Sequence, residues 1–232
     1  MKNRIPVPAE TRAWRALLYV SCFFGFAFLL IPIVAIVPIS FSAGSSLSYP
    51  LPGLSTRWYA QVFNSPTLAQ MLWNSVVVAF FTTIFATVLG TMAAYGLAFA
   101  RFRLKNVIVG LLLTPMVVPL VITALAFYFA FAKLNILGSY AGIVLAHTVL
   151  ATPFVLVTVM ATLQGFDRNL VRAALNLGAR PFPAFMSITL PLIFPGVLAG
   201  AIFAFITSFD EIVVALFVSS PSTKTLPIEL YA

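Results

Sequence analysis

Two adjacent carboxylates, Asp210 and Glu211, stand inside a long apolar run near the end of the chain. A charge within the hydrocarbon of a bilayer is costly, so it usually faces a cavity, a partner helix or a substrate. Adjacent residues of a helix point about 100° apart, so one carboxylate can face a pathway while the other pairs with a neighbour. The pair indicates either attraction of a cationic substrate or a helix–helix hydrogen bond with no substrate role.

Three other side chains in apolar runs carry polar chemistry. Tyr95 and Tyr128 can stack on an organic cation through their ring faces. Packing or lipid contact is the simpler interpretation in a chain with 23 phenylalanines and 7 tyrosines. His147 is the only histidine, and no cysteine or carboxylate lies near it in the sequence. We therefore expect a buried imidazole bonded to a carbonyl or hydroxyl group, and no bound metal.

Motifs for nucleotide binding and catalysis do not occur in the sequence. The glycine-rich phosphate loop GxxxxGK[ST] is absent, so this chain is not expected to bind ATP by itself. One histidine and five carboxylates leave little material for acid–base or nucleophilic catalysis. We predict a protein that is not an enzyme and binds no cofactor of its own.

The composition is that of a protein embedded in a lipid bilayer. Hydrophobic residues make up 62% of the chain, charged residues 8%, and the mean hydropathy is +1.08. Soluble domains have about 25% charged residues, and 232 residues cannot hide this much apolar surface in one globule. The net charge of +8 fits basic residues kept in cytoplasmic loops better than nucleic-acid binding, and we expect no nucleic-acid partner.

Five apolar runs are each longer than the ~20 residues that a transmembrane helix needs. We predict an all-α, polytopic transmembrane bundle that forms a single domain over 1–232, with Asn74 and Ser75 capping the second span. Prolines inside the spans predict kinks or broken turns, and small residues predict close helix contacts. The spans are about 17–39, 75–100, 107–132, 137–163 and 190–218; the prolines are Pro32, Pro115, Pro119, Pro153 and Pro195; the small residues are Gly90, Ala93, Ala94, Gly96, Gly196, Ala199 and Gly200.

Basic residues orient these spans. Ten of the 13 lysines and arginines fall on one predicted side and three on the other, so the positive-inside tendency places the N-terminus and the loop before the fifth span in the cytoplasm. The ten are Lys2, Arg4, Arg12, Arg15, Arg101, Arg103, Lys105, Arg168, Arg172 and Arg180; the three are Arg57, Lys133 and Lys224.

The loop before the fifth span is polar and predicts a short helix outside the membrane. Asp167 can accept hydrogen bonds from the first free backbone N–H groups, and Gly178 can adopt the left-handed conformation that closes a helix. Pro181 and Pro183 should prevent the helix from continuing. One face carries Leu170, Ala173, Ala174 and Leu177 and another carries Arg168, Arg172 and Asn176, which suggests an acidic partner.

This loop resembles the cytoplasmic-loop motif of permease subunits from type I, binding-protein-dependent ABC importers. That motif reads Glu-Ala-Ala, three residues, Gly, nine residues, Ile, one residue, Leu-Pro. The run RAALNLGA followed by ITLP matches it at Ala173, Ala174, Gly178, Ile188, Leu190 and Pro191, whereas Arg172 stands at the position of the family's Glu. The resemblance implies that 167–180 is a coupling helix docked on an ATPase. Asp167, Arg168, Arg172, Ala173, Ala174 and Gly178 would form this contact.

The resemblance also implies a location in the bacterial cytoplasmic (inner) membrane and the rest of the assembly. Such a permease pairs with a second, similar permease, and two ATP-binding subunits use ATP and Mg beneath the pair. A soluble extracytoplasmic protein delivers the substrate, and the pathway works by alternating access. These permeases usually have a sixth span, which we expect beyond residue 232.

The run SFDEIVVALF resembles the corresponding span in the spermidine/putrescine branch of these permeases. The resemblance implies a polyamine or related amine as substrate, with Asp210 the stronger candidate because a Glu at the next position also occurs in importers of uncharged solutes. An importer of another solute, such as an amino acid, remains open. A secondary, ion-coupled transporter also remains open, although it would usually show internal pseudo-symmetry and more charges inside the membrane.

Overall fold

The computed structural model describes residues 9–44, 49–100 and 103–231, with side chains from residue 13 onwards. Lys2, Arg4, Arg101 and the side chain of Arg12, which support the predicted orientation, lie outside the described residues, as does the sixth span expected after residue 232. The described residues confirm the all-α prediction, since their only extended pairing is an isolated bridge between Ser42 and Leu54.

The described helices are numbered here in chain order. They are α1 Ala9–Ser40, α2 Arg57–Phe63, α3 Pro66–Phe99, α4 Lys105–Val117, α5 Leu120–Lys133, α6 Tyr140–Gln164, α7 Arg168–Asn176, α8 Pro181–Ala184, a π-helical turn Phe185–Thr189, α9 Leu190–Phe209, α10 Val213–Val218 and α11 Leu226–Tyr231. Four helical segments of the described chain are long and apolar enough to cross a membrane, and there are five if the bent α4–α5 pair counts as one span.

The chain divides into two compact units at Pro66. The first contains α1, whose described side chains are almost all exposed although the helix is strongly apolar, as the predicted first span requires. The loop after it is held by Trp58, whose Nε1 donates to the carbonyl of Ser42 at 3.1 Å. Arg57 donates from Nη2 to the carbonyl of Gly44 at 2.8 Å.

The second unit is built around α6, whose buried side chains include Ile143, Val155 and Leu156. Glycines allow its neighbours to approach closely. A Cβ atom added at Gly196 or Gly200 of α9 would lie 2.0 Å or 2.6 Å from a threonine hydroxyl of α6. These contacts and that of Gly90 in α3 confirm part of the predicted small-residue packing, whereas Gly96 faces open space.

The predicted third span, 107–132, is not one continuous helix, and the break lies beside one of the two prolines at which a kink or broken turn was predicted. The chain forms α4 and α5 instead, and their axes are bent by 101°. Pro119 has no backbone N–H and excludes the residue before it from the helical region, so Val118 is extended with φ −70° and ψ 134°. Pro115, by contrast, is accommodated inside α4.

The predicted fifth span, 190–218, differs from the structure at both ends. A helix runs unbroken from Pro181 to Phe209, through α8, the π-helical turn and α9, and is called the α8–α9 helix below. It stops at Phe209, and α10 is a separate short helix. Pro181 and Pro183 stand in the first turn, where the N–H groups that proline lacks have no partner in any helix, so Pro181 starts this helix and Pro183 does not interrupt it.

Asn74 and Ser75 were predicted to cap the second span, and this is wrong because α3 begins at Pro66, well before them. Both are buried and hold the segment that follows α10. Asn74 Nδ2 donates to the carbonyls of Ser222 and Lys224 at 3.1 and 2.9 Å. Ser75 Oγ accepts from the N–H of Leu226 at 2.8 Å.

Candidate functional site

Two helix breaks of the second unit meet around a cavity of about 530 Å³. One break separates α4 from α5 and the other separates α9 from α10, while α6 supplies the wall between them. Both predicted acidic residues line this cavity, and most of the other lining side chains are apolar. The lining residues are Pro115, Met116, Val118, Leu120, Leu150, Phe154, Ile206, Thr207, Asp210, Glu211, Ile212 and Val213.

Asp210 follows the last residue of α9, and its backbone N–H donates to the carbonyl of Ile206 at 3.0 Å. Its side chain is exposed. Within the described part of the chain, the Asp210 carboxylate has no hydrogen-bond or ion-pair partner. This carboxylate is therefore free to interact with a ligand in the cavity.

Glu211 has the opposite environment although it is the next residue. Only 8% of it is exposed. Its Oε1 accepts from the N–H of Val214 at 3.0 Å, and its Oε2 accepts from the N–H of Ala215 at 2.8 Å. These are among the first N–H groups of α10, which lack partners inside the helix. Both carboxylate oxygens of Glu211 thus accept hydrogen bonds from backbone N–H groups at the start of α10.

His147 lies behind Glu211 in the protein interior. Its Nδ1 forms a 2.9 Å hydrogen bond with the Ser208 hydroxyl, which confirms the predicted bond to a hydroxyl group. Its Nε2 is 3.7 Å from Glu211 Oε2. Among the residues that the structure describes, no three His, Cys, Asp or Glu side chains are placed to hold a metal ion.

The two predicted tyrosines lie elsewhere. Tyr95 packs against Phe99 and Phe185, with ring centroids 4.6 and 4.9 Å away, and lines a separate apolar cavity of about 690 Å³ between α3 and the α8–α9 helix. Tyr128 is an exposed residue of α5 that touches the edge of Phe129. The structure therefore brings together Asp210 and Glu211, but neither tyrosine joins them.

Sequence reasoning missed Met116 and Phe154 as walls of the cavity. The available signal was the pair Pro115 and Pro119, which predicted a kink but not its size. A break of 101° carries the residues around it away from the helix axis and opens the space that Asp210 faces.

At the other end of the α8–α9 helix lies α7, the predicted coupling helix. The Asp167 side chain accepts from the N–H of Asn169 at 2.9 Å, and Gly178 has φ +87°, so both predicted helix ends are confirmed. The predicted apolar face is not covered by the described residues of this chain, since Leu177 is 90% exposed and Ala173 is exposed as well. Ala174 is half-buried.

The two arginines of α7 differ in their contacts. Arg168 donates from Nη2 to the carbonyl of Ala98 at 2.6 Å, and its guanidinium lies 4.7 Å above the Phe99 ring, so it attaches α7 to the end of α3. Arg172 is exposed and, in the residues described, has no hydrogen-bond or ion-pair partner. Only Arg172 is free for a contact with another molecule.

Known proteins are similar to this chain over most of its length. The sequence profile of the family described as "Binding-protein-dependent transport system inner membrane component" matches residues 86–231. The spermidine/putrescine transport system permease protein PotC of Escherichia coli (strain K12) is 35% identical over 207 residues, which cover 89% of this chain and 78% of PotC. The putrescine transport system permease protein PotI of the same strain is 35% identical over 237 residues, covering 99% of this chain and 82% of PotI.

A solved structure supports the fold. A chain in the crystal structure of a bacterial ABC transporter involved in the import of the acidic polysaccharide alginate superimposes with a TM-score of 0.73. The match covers 98% of this chain and 81% of that chain, and the sequences are 16% identical. At that identity the match concerns the fold alone.

Proposed function

Because this chain belongs to the family of inner membrane components of binding-protein-dependent transport systems, we propose that it forms the pathway for a small cationic amine of the polyamine class. It is a multi-pass membrane protein and a permease subunit of a type I ABC importer, and not a catalytic subunit. The observation that carries the proposed substrate class is the unpaired Asp210 carboxylate in the 530 Å³ cavity. Relatives named for spermidine and putrescine transport support it.

The cavity has the chemistry that an aliphatic amine needs. An ammonium group can pair with the Asp210 carboxylate through a charge-assisted hydrogen bond. Methylene groups can lie against Met116, Leu150 and Phe154 on the opposite walls. A diamine has a second ammonium group, and this chain offers one unpaired carboxylate in the cavity, so the other charge would be met by the second permease subunit.

The α8–α9 helix gives a direct route for coupling. It runs for 29 residues without a break from the end of the α7 loop to Phe209, about 42 Å at 1.5 Å per residue. Movement of α7 by an ATPase would therefore reach Asp210 through one rigid element. In this proposal two ATP-binding subunits, which use ATP and Mg, drive alternating access of this chain and a second permease, and a soluble extracytoplasmic protein delivers the amine.

Docking of α7 requires the α7 loop and the N-terminus to lie in the cytoplasm. Leu177→Cys in a Cys22→Ser background provides a test, because Leu177 is almost fully exposed and Cys22 is the only cysteine. A membrane-impermeant maleimide should label this cysteine in inside-out vesicles and not in right-side-out vesicles. Labelling in right-side-out vesicles would reverse the proposed orientation.

The substrate class is tested by substrate-stimulated ATP hydrolysis and uptake in the reconstituted complex. Putrescine, spermidine, an amino acid and a neutral sugar form a sufficient panel. Asp210→Asn should strongly lower amine uptake, whereas the control Glu229→Gln should not, because Glu229 is paired with Lys224 outside the cavity. If a neutral solute drives hydrolysis and Asp210→Asn has no effect, the polyamine proposal and the role of Asp210 are both wrong, and the chain remains an importer permease.

A monoamine or amino-acid-like solute is the second candidate, and the single unpaired carboxylate in the cavity favours it. A monoamine needs one anionic partner for its amino group. An amino acid also needs a donor for its carboxylate, which the second permease subunit would supply because no Lys, Arg or His among the described residues lines this cavity. Uptake that requires Asp210 but prefers the amino acid of the panel would select this candidate. An ion-coupled secondary transporter no longer fits, because the chain belongs to a family of ABC importer subunits.

A further inference from the structure

We propose that Glu211 is a positioning residue and not a second substrate ligand: together with His147 and Ser208 it fixes the break after α9 so that the Asp210 carboxylate points into the cavity. This inference rests on the proposed role of Asp210 as the cation contact. It assigns different tasks to two neighbouring carboxylates that line the same cavity.

The first step is the bonding of Glu211. Each of its carboxylate oxygens accepts a backbone N–H of α10, at 3.0 Å from Val214 and 2.8 Å from Ala215. An ammonium group could use this carboxylate only together with, or at the expense of, those two bonds. Losing them would leave buried backbone donors without a hydrogen-bond partner, which destabilises the start of α10. Glu211 is therefore committed to the start of α10.

The second step is the position of the imidazole. His147 touches the residues on both sides of Asp210: its Nδ1 is hydrogen-bonded to Ser208, two residues before, and its Nε2 is 3.7 Å from Glu211, one residue after. All three partners are at least nine-tenths buried, with exposed fractions of 1% for His147, 4% for Ser208 and 8% for Glu211. His147 of α6 is thus hydrogen-bonded to Ser208 before the break and packs against Glu211 after it.

The third step follows from chain geometry. Ser208 and Glu211 face the imidazole inside the protein, whereas Asp210 is exposed and lies on the cavity wall. The backbone between them has left the α-helix, since it ends at Phe209 and α10 begins at Val213. Asp210 is attached to α9 by its N–H bond to Ile206, and beyond that bond its direction depends on its anchored neighbours. Loss of the contacts of Ser208 or of Glu211 would let the Asp210 carboxylate turn away from the cavity.

A double-mutant cycle tests this dependence. The complex of permease pair, ATPase and binding protein is reconstituted in proteoliposomes, and radiolabelled spermidine uptake per ATP hydrolysed is measured with saturating loaded binding protein. We expect Asp210→Asn to lower this ratio about tenfold and Glu211→Gln about three- to tenfold, while the double variant stays near the Asp210→Asn value. The matched control is Glu229→Gln, which lies outside the cavity and should leave both basal ATP hydrolysis and the uptake ratio unchanged.

Other outcomes distinguish a failure of the positioning role of Glu211 from a failure of the cation site at Asp210. If the losses multiply, to roughly 30- to 100-fold, Glu211 acts independently of Asp210 and the positioning role is wrong. If Glu211→Gln lowers the ratio but Asp210→Asn does not, the cation site at Asp210 fails and the inference fails with it. If Asp210→Asn alone lowers the ratio, Asp210 keeps its role and the break does not need Glu211.

A second pair of variants covers the case in which Glu211→Gln fails to assemble. His147→Gln keeps an amide that can bond to Ser208 and should retain most of the uptake ratio, whereas His147→Leu cannot form this bond and should lose about as much as Glu211→Gln. Neither variant should lower the uptake ratio further when it is combined with Asp210→Asn. Equal loss in the Gln and Leu variants, or loss that multiplies with Asp210→Asn, would overturn the proposal.

Discussion

Replacing the two arginines of α7 separately should distinguish a contact inside the chain from a contact with a partner. Arg168 bonds to the carbonyl of Ala98 at 2.6 Å and lies over the ring of Phe99, whereas Arg172 has neither kind of contact within the described residues. We expect Arg168→Ala to loosen the attachment of α7 to α3. Arg172→Ala should leave this attachment unchanged.

The magnitude follows from the two contacts of Arg168. Buried charge-assisted hydrogen bonds contribute about 1.5–3 kcal/mol, but Arg168 is exposed, and a value of ~1 kcal/mol suits an exposed charged contact better. The cation–π contact adds about 0.5–1 kcal/mol at an exposed site. Their sum of ~1.5–2 kcal/mol corresponds to local opening that is roughly 10- to 30-fold more frequent.

Hydrogen exchange of the α7 amides measures this opening directly. The permease should be in lipid nanodiscs without its ATPase, so that contacts with a partner do not contribute. Arg168→Lys is the matched control: it keeps the charge but loses the planar guanidinium, and should exchange at an intermediate rate. The reasoning is refuted if Arg172→Ala accelerates exchange as much as Arg168→Ala, or if Arg168→Ala has no effect.

Three further predictions concern the partner surface, the packing and the segment after α10. Arg172→Glu should weaken co-purification with the ATPase and lower ATPase coupling, because Arg172 is expected to face an acidic or acceptor-rich groove; unchanged coupling would contradict this expectation. Gly200→Ala should destabilise the chain by roughly 1–3 kcal/mol in thermal unfolding, because its Cβ would lie 2.6 Å from the Thr158 hydroxyl and 3.0 Å from Val155 Cα. The control Gly96→Ala meets nothing within 4 Å and should be neutral or stabilising. Asn74→Ala should make the segment after α10 roughly tenfold more sensitive to protease or exchange, since its two bonds to that segment are lost; unchanged protection would show that other contacts hold the segment.

The sequence by itself determined the features that depend on local chemistry. Continuous apolar composition is enough to predict an all-α membrane protein, because lipid admits only segments that satisfy their own backbone hydrogen bonds. The ends of α7 were predictable for a similar reason, since Asp167 and Gly178 act within one helical turn of the groups they affect. The match of its motif to importer permeases added the family, which the comparisons confirm.

Only the tertiary structure decided what each polar residue does. The sequence places Asp210 and Glu211 side by side with the same charge, but His147 and the start of α10 cover one carboxylate and leave the other free. Arg168 and Arg172 differ for the same reason, because the end of α3 contacts Arg168 and does not contact Arg172. The physical reason is that sequence spacing tells which direction a side chain takes from its helix, while burial and pairing depend on elements distant in the chain.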